Sequence, residues 1–150
     1  CHLSAANFKA LVEAAWPALT YFNASRANVE LDGPRALGAA AFAFFPVLED
    51  LNLSYSPLGA AGARLLASRR WPRLKYLHLN DTELGDAGAA ALARGEWPAL
   101  MWLSLLGLEH TVLRAPPTLE DARRWAPALE KLLLKAEYGG GDESDSEEGE

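Results

Sequence analysis

The pattern L-x-x-L-x-L recurs along this 150-residue chain at a nearly fixed interval. Clear copies are Leu48-x-x-Leu51-x-Leu53, Leu74-x-x-Leu77-x-Leu79 and Leu100-x-x-Leu103-x-Leu105. A degenerate copy, Leu19-x-x-Phe22-x-Ala24, stands upstream, and a last one is Leu129-x-x-Leu132-x-Leu134. The anchor leucines 19, 48, 74, 100 and 129 lie 29, 26, 26 and 29 residues apart. Self-similarity at this period predicts a solenoid, in which each unit buries its apolar face against its neighbours.

The chemistry of one unit supports that architecture. In 50–54 (DLNLS) and 76–80 (YLHLN) apolar and polar residues alternate, as a half-buried strand requires. After each comes a turn and an alanine-rich stretch free of β-branched residues and internal proline, so 59–70 and 85–96 read as helices. The paired glycines 59 and 62, and 85 and 88, are expected to let helix approach sheet closely. A Trp-Pro pair then ends the helix, because proline cannot continue it. Strand–helix alternation with short connections gives a parallel sheet with helices on one side.

The unit resembles a leucine-rich repeat of the ribonuclease-inhibitor-like subtype, L-x-x-L-x-L-x-x-N-x-L-G-x-x-G-A-x-x-L-A. Residues 58–67 (LGAAGARLLA) and 84–93 (LGDAGAAALA) carry its second half in consecutive units. The resemblance covers about residues 3–134 and is strongest over 48–105. It implies an α/β solenoid with a curved parallel sheet on the concave side and helices on the convex side. The consensus asparagine is replaced by Ala27, Ser56, Thr82 and Leu108. Ser56 and Thr82 can still hydrogen-bond the local backbone, whereas Ala27 and Leu108 cannot.

Strands are therefore expected at Phe22, Leu51–Leu53, Leu77–Leu79, Leu103–Leu105 and Leu132–Leu134. Helices are expected over about 4–15, 35–44, 59–69, 85–95 and 118–125, with a loop at Gly107–Pro117. Residues 1–138 read as one repeat domain and 139–150 (GGGDESDSEEGE) as a disordered acidic tail. Residues 3–16 align with 58–71, so the chain opens within a repeat and is expected to be a fragment truncated at its N-terminus. The full repeat number and any upstream targeting signal lie beyond it.

Charge and composition narrow the partners. Of 20 acidic residues six lie in 142–150, leaving 14 against 14 basic ones. The body is neutral, which gives no basic footprint for nucleic acid. No run approaches a membrane span, and one cysteine favours an intracellular compartment, cytoplasmic or nuclear. The plain reading of the tail is a solubilising one. The sharper reading is a phosphorylation target at Ser144 and Ser146, which sit in an acidic context. No phosphate loop, zinc, redox or nucleophile-elbow motif occurs, so neither enzyme nor cofactor chemistry is expected, and His2, His78 and His110 fall too far apart for a metal site.

The aromatic residues divide into two sets. Trp16, Phe45, Trp71, Trp97 and Trp125 recur at the helix-to-strand corner and read as core. Trp102 is out of phase. With the leucines facing the helices, the open face should carry three rows. They are Tyr21, Asp50, Tyr76, Trp102, Lys131; Asn23, Asn52, His78, Ser104, Leu133; and Ser25, Ser54, Asn80, Leu106, Lys135. Strands about 4.8 Å apart put Tyr76 beside Trp102, and such aromatics are enriched in binding hot spots. The candidate partner-binding residues are Tyr76, Trp102, Asp50, His78, Asn80, Asn52 and Tyr21; a bland alternative is that the two rings stack on each other. The resemblance implies a protein-interaction scaffold with a protein partner and no small-molecule substrate. It leaves open a part of an F-box ubiquitin-ligase or nucleotide-binding immune receptor, or a Ran-GTPase-activating-protein-like repeat domain.

Overall fold

A computed structural model describes residues 16–26, 45–106 and 117–134. The expected helices over 4–15 and 35–44, the loop over 107–116 and the tail over 139–150 lie outside the described residues. Five strands, β1 (Tyr21–Asn23), β2 (Asp50–Asn52), β3 (Tyr76–His78), β4 (Trp102–Ser104) and β5 (Lys131–Leu133), form one parallel sheet in chain order. The register runs Phe22, Leu51, Leu77, Leu103, Leu132 across it. Helices α1 (Gly59–Ala67) and α2 (Gly85–Leu92) cover one side, joined by the short α3 (Leu119–Arg123). The fold is the α/β solenoid expected from the spacing, with the parallel sheet and one-sided helices that the leucine-rich-repeat resemblance implies.

Each L-x-x-L-x-L segment places its leucines in a shared core. Leu51, Leu66, Leu77 and Leu100 have no exposed surface at all. The ladder extends past the short strands: Leu53 N donates to His78 O (3.0 Å), Tyr55 N to Asn80 O (2.7 Å) and Asp81 N to Leu106 O (2.7 Å). Arg26, Tyr55 and Asp81 occupy equivalent positions there and take φ near 55°, 61° and 51°. That left-handed conformation turns the chain from the sheet towards the helix layer.

The helices begin without side-chain caps on α1 and α2. Thr82 O of the following repeat accepts from Leu58 N (3.1 Å) and Gly59 N (2.9 Å), satisfying two donors at the start of α1. The paired glycines do something other than admit the sheet. Gly59 and Gly85 take positive φ (63° and 60°), which opens the first turn. A Cβ on Gly62 would strike Leu58 Cγ at 2.3 Å, and one on Gly88 would meet Leu84 Cβ at 2.8 Å and Ala60 Cα of α1 at 3.5 Å. The second glycine thus admits the leucine before the helix and the neighbouring helix. On α3, by contrast, Thr118 and Asp121 form a reciprocal capping box, and hydrogen bonds from Thr118 hold the Asp121 carboxyl below its usual range.

Both long helices stop before the residues expected to stop them. They end at Ala67 and Leu92, whereas Pro72 and Pro98 come later. The corner tryptophans explain the end. Trp71 Nε1 donates to Leu66 O at 2.8 Å and Trp97 Nε1 to Leu92 O at 2.9 Å, capping the last turn from the side. The prolines then sit in the following corner turn, where Leu100 N returns to Trp97 O (3.4 Å) and Leu48 N to Phe45 O (3.3 Å).

That turn also corrects the set of corner residues. In the last repeat the equivalent bond runs from Leu129 N to Ala126 O (3.0 Å), so fully buried Ala126 holds the place of Trp71 and Trp97. The sequence W-A-P, with one residue more than W-P, moves Trp125 out of phase. Phe45, Trp71 and Trp97 are core residues; Trp125 is half-buried, and Trp16, in the first described repeat, is 41% exposed. Among the described residues no helix is long and apolar enough to cross a membrane.

Candidate functional site: the open face of the sheet

The face of the sheet opposite the helices carries two rows of side chains in the expected register. Tyr21, Asp50, Tyr76, Trp102 and Lys131 form one, and Asn23, Asn52, His78, Ser104 and Leu133 the other. Tyr21 and Tyr76 are 54% and 39% exposed; Asp50, Asn52, His78, Asn80 and Trp102 are half-buried. Because β2, β3 and β4 are each paired on both sides, the side chains they carry project from a rigid base.

Trp102 does not stack on Tyr76. The Lys131 ammonium lies 4.7 Å from the centroid of its ring, a cation–π contact from the neighbouring strand. Trp102 Nε1 is buried and has no hydrogen-bond partner among the described residues. The face is thus graded: tyrosine and carboxylate lie towards β1 and β2, and Trp102, Lys131 and Leu133 towards β4 and β5.

His78 lies beside Asp50. Its Nε2 lies 3.6 Å from Asp50 Oδ1, diagonally across β2 and β3. Burial raises the Asp50 carboxyl above its ordinary value, and the His78 charge opposes that shift. A raised folded-state pKa means that the folded protein binds this proton more readily than the unfolded chain. The stability it contributes is present at low pH and is lost as pH rises through the folded value. We therefore expect Asp50→Asn to gain stability relative to the parent as pH rises above about 4, where the unfolded carboxyl ionises first, by no more than about 1 kcal/mol because Asp50 keeps solvent contact. Urea unfolding of both proteins as a function of pH checks the sign; a variant that loses ground as pH rises would show the His78 pair to dominate over burial.

Asn80, Ser54 and Ser104 hold the solenoid together and offer little to a partner. Asn80 Oδ1 accepts from Ser104 Oγ and from Leu106 N (2.9 Å), while Asn80 N donates to Ser54 Oγ at 3.2 Å. Both serines are 2% exposed, so the second and third rows are less open than alternation predicts. Asn52 and Asn23 instead accept from Ser54 N (3.0 Å) and Ser25 N (2.9 Å) within their own turns. Of the consensus-asparagine substitutes, Thr82 Oγ1 bonds locally to Leu79 O (2.7 Å), whereas Ser56 Oγ reaches across to Ala24 O of the preceding repeat (3.4 Å).

Two features lie outside the expected residue set. Tyr55, 46% exposed, sits at the turn edge with the Arg26 guanidinium 4.8 Å over its ring. An open groove lies at the opposite, corner edge, between Trp97-Pro98 and Trp125. The W-A-P variant of the corner was its visible sign in the sequence. Among the described residues no group of three or more His, Cys, Asp or Glu could hold a metal ion.

The comparisons with known proteins agree with the fold. The Leucine Rich repeat family pattern matches residues 46–67 and 73–93, the two units with the clearest spacing. A solved structure, Leiomodin-1 Actin-Binding Site 2 (ABS2), superposes with a TM-score of 0.62 at 17% identity, covering 89% of this chain and 80% of that one. At such identity the likeness is one of fold. No curated protein matches the chain in sequence.

Proposed function

We propose that this leucine-rich-repeat protein is a non-catalytic scaffold that binds a protein partner on its concave face, through Tyr76, Trp102 and their neighbours Asp50, His78 and Tyr21. The observation that carries the reading is the row of Tyr21, Tyr76 and Trp102, aromatic side chains left partly open on a surface fixed by backbone hydrogen bonds. Rigid aromatics lose little entropy on binding and supply most of the energy of many interfaces. The indole N–H of Trp102, unpartnered among the described residues, gives a partner carbonyl or carboxylate something to satisfy.

Trp102→Ala is expected to weaken binding by about 2 kcal/mol, roughly 30-fold, while leaving the fold intact. Arg69→Ala, at the helix side, is the control and should leave affinity unchanged within about twofold. A pull-down with the full chain and both variants identifies the partner, and titration of that partner measures the ratio. Loss of the partner by Arg69→Ala and its retention by Trp102→Ala would move the binding surface to the convex side. The neighbour's name refers to actin binding, so actin is a defined protein to titrate first.

A further inference from the structure

The last corner breaks a rule that the two before it keep. Where Trp71 and Trp97 fill the first position of the turn, Ala126 stands instead, and Trp125 is displaced outward by one residue. Between this corner and the previous one lies a groove of about 440 Å³, walled by Trp97 and Pro98 and by Trp125 and Pro127. Gly95 belongs to its lining: a Cβ there would come within 2.6 Å of Trp97 Nε1 and 3.1 Å of Ala67 Cα. The groove is largely apolar, with Arg124 and Glu96 adding charge.

The same edge carries exposed positive charge. Arg70, Arg73, Arg94 and Arg124 flank successive corners and are exposed. Among the described residues none of them has a carboxylate at ion-pair distance, although Arg124 is near enough to Asp121 to help lower its carboxyl, whereas Lys75 pairs with Glu49 at 2.9 Å. Arg123 is excluded, because its Nε donates to Leu129 O at 2.9 Å. Apart from Glu96 the acidic residues of the two long-helix repeats lie elsewhere, with Asp81, Glu83 and Asp86 at the turn edge. Over these two repeats the solenoid therefore has a basic edge and an acidic edge although the body is neutral overall, while α3 sets Glu120 and Asp121 on the same helix that ends at Arg124.

We infer that the corner edge is a docking surface for an acidic peptide segment, and that its occupant is the chain's own residues 138–150, with Tyr138 in the Trp97–Trp125 groove and the acidic run along Arg124, Arg94 and Arg70. These residues lie outside the described ones, and the inference stands apart from the concave-face reading. Charge complementarity is one argument: the six carboxylates of 142–150 match the exposed guanidiniums, which bind carboxylates in a bidentate fork. Reach is another. Tyr138 follows Leu133, the last residue of β5, by five positions, a span of up to about 17 Å, whereas Leu133 stands four residues, about 13 Å of extended chain, beyond Leu129 at the corner. The three glycines 139–141 allow the chain to redirect. Residues 142–150 extend to about 30 Å, and neighbouring helices pack about 8–10 Å apart, so the run can pass three corners. Tethering gives the segment a millimolar effective concentration, ahead of any free acidic peptide.

Each exposed pair is weak and screened by salt, so the contact is reversible and salt-sensitive. The test uses the full chain with Cys1→Ser and a spin label on Ser146→Cys. Amide signals of Arg94, Gly95 and Arg124 should lose about half their intensity at low salt, and those of Asp81 and Glu83 at the opposite edge should not. About 0.5 M salt should restore them, because the screening length falls to a few ångströms. Combined Arg70→Glu, Arg94→Glu and Arg124→Glu should do the same; if that variant fails to fold, the salt series decides. Equal broadening at both edges, no broadening at low salt, or insensitivity to salt would overturn the inference. Broadening confined to mixtures of labelled and unlabelled copies would also overturn it, by making a second copy the occupant.

Discussion

Trp71→Ala is expected to lower the free energy of unfolding by about 3–5 kcal/mol. The indole is 2% exposed and packs in the core where helix meets strand. Removing it opens a cavity that the flanking Phe45 and Trp97 corners, themselves fixed by their own turns, cannot close. It also removes the shorter of the two hydrogen bonds that Leu66 O accepts at the end of α1, leaving only the one from Arg69 N at 3.2 Å. Trp71→Phe separates the two contributions. It keeps most of the apolar volume and loses the hydrogen bond, so it should cost less than Trp71→Ala. Trp125→Ala is the counter-case, because a half-buried ring outside the corner position loses little burial. Urea unfolding followed by circular dichroism measures all three, with an unchanged slope as the sign that the native fold is kept. A melting temperature indifferent to Trp71→Ala would sink the corner-packing argument.

The difference between Trp71 and Trp125 shows how far the sequence can be read. Strand positions, parallel pairing and the register of the open-face rows all follow from L-x-x-L-x-L, because alternation and period are properties of one unit. Contacts between units are harder to read. Nothing in the spacing says that Thr82 O will cap the preceding helix, or that Asn80 will be held by Ser104 and Leu106 of the next strand. Asn80 thus entered the candidate site as an exposed polar residue although its side chain is committed to the ladder. Helix ends were misplaced for a related reason. Proline is a conspicuous local signal, whereas an indole donating five residues back to a carbonyl is visible only once the corner is built. The charge asymmetry between the two edges was hidden by a neutral sum.

Leu77→Ala should cost about 2–5 kcal/mol, near the top of that range, and its position in the array is the reason. Leu77 has no exposed surface and stands in register between Leu51 and Leu103. In a solenoid, stability is the sum of unit terms and nearest-neighbour interfaces, so a central side chain serves two interfaces at once. Its truncation weakens the β2–β3 and β3–β4 contacts together, and the rigid ladder on both sides limits collapse of the cavity. Leu132, the equivalent residue of β5, is only partly buried and has a described neighbour on one side. Leu132→Ala should therefore cost clearly less, and the gap between the two substitutions measures the interface term directly. Denaturation of the pair, probed both by far-ultraviolet dichroism and by tryptophan fluorescence, also tests cooperativity. If the probes part company in Leu77→Ala but coincide in Leu132→Ala, the weakened centre has let the two halves unfold separately. Equal costs for both substitutions would mean that the strands contribute as independent units, and the nearest-neighbour account of this solenoid would fail.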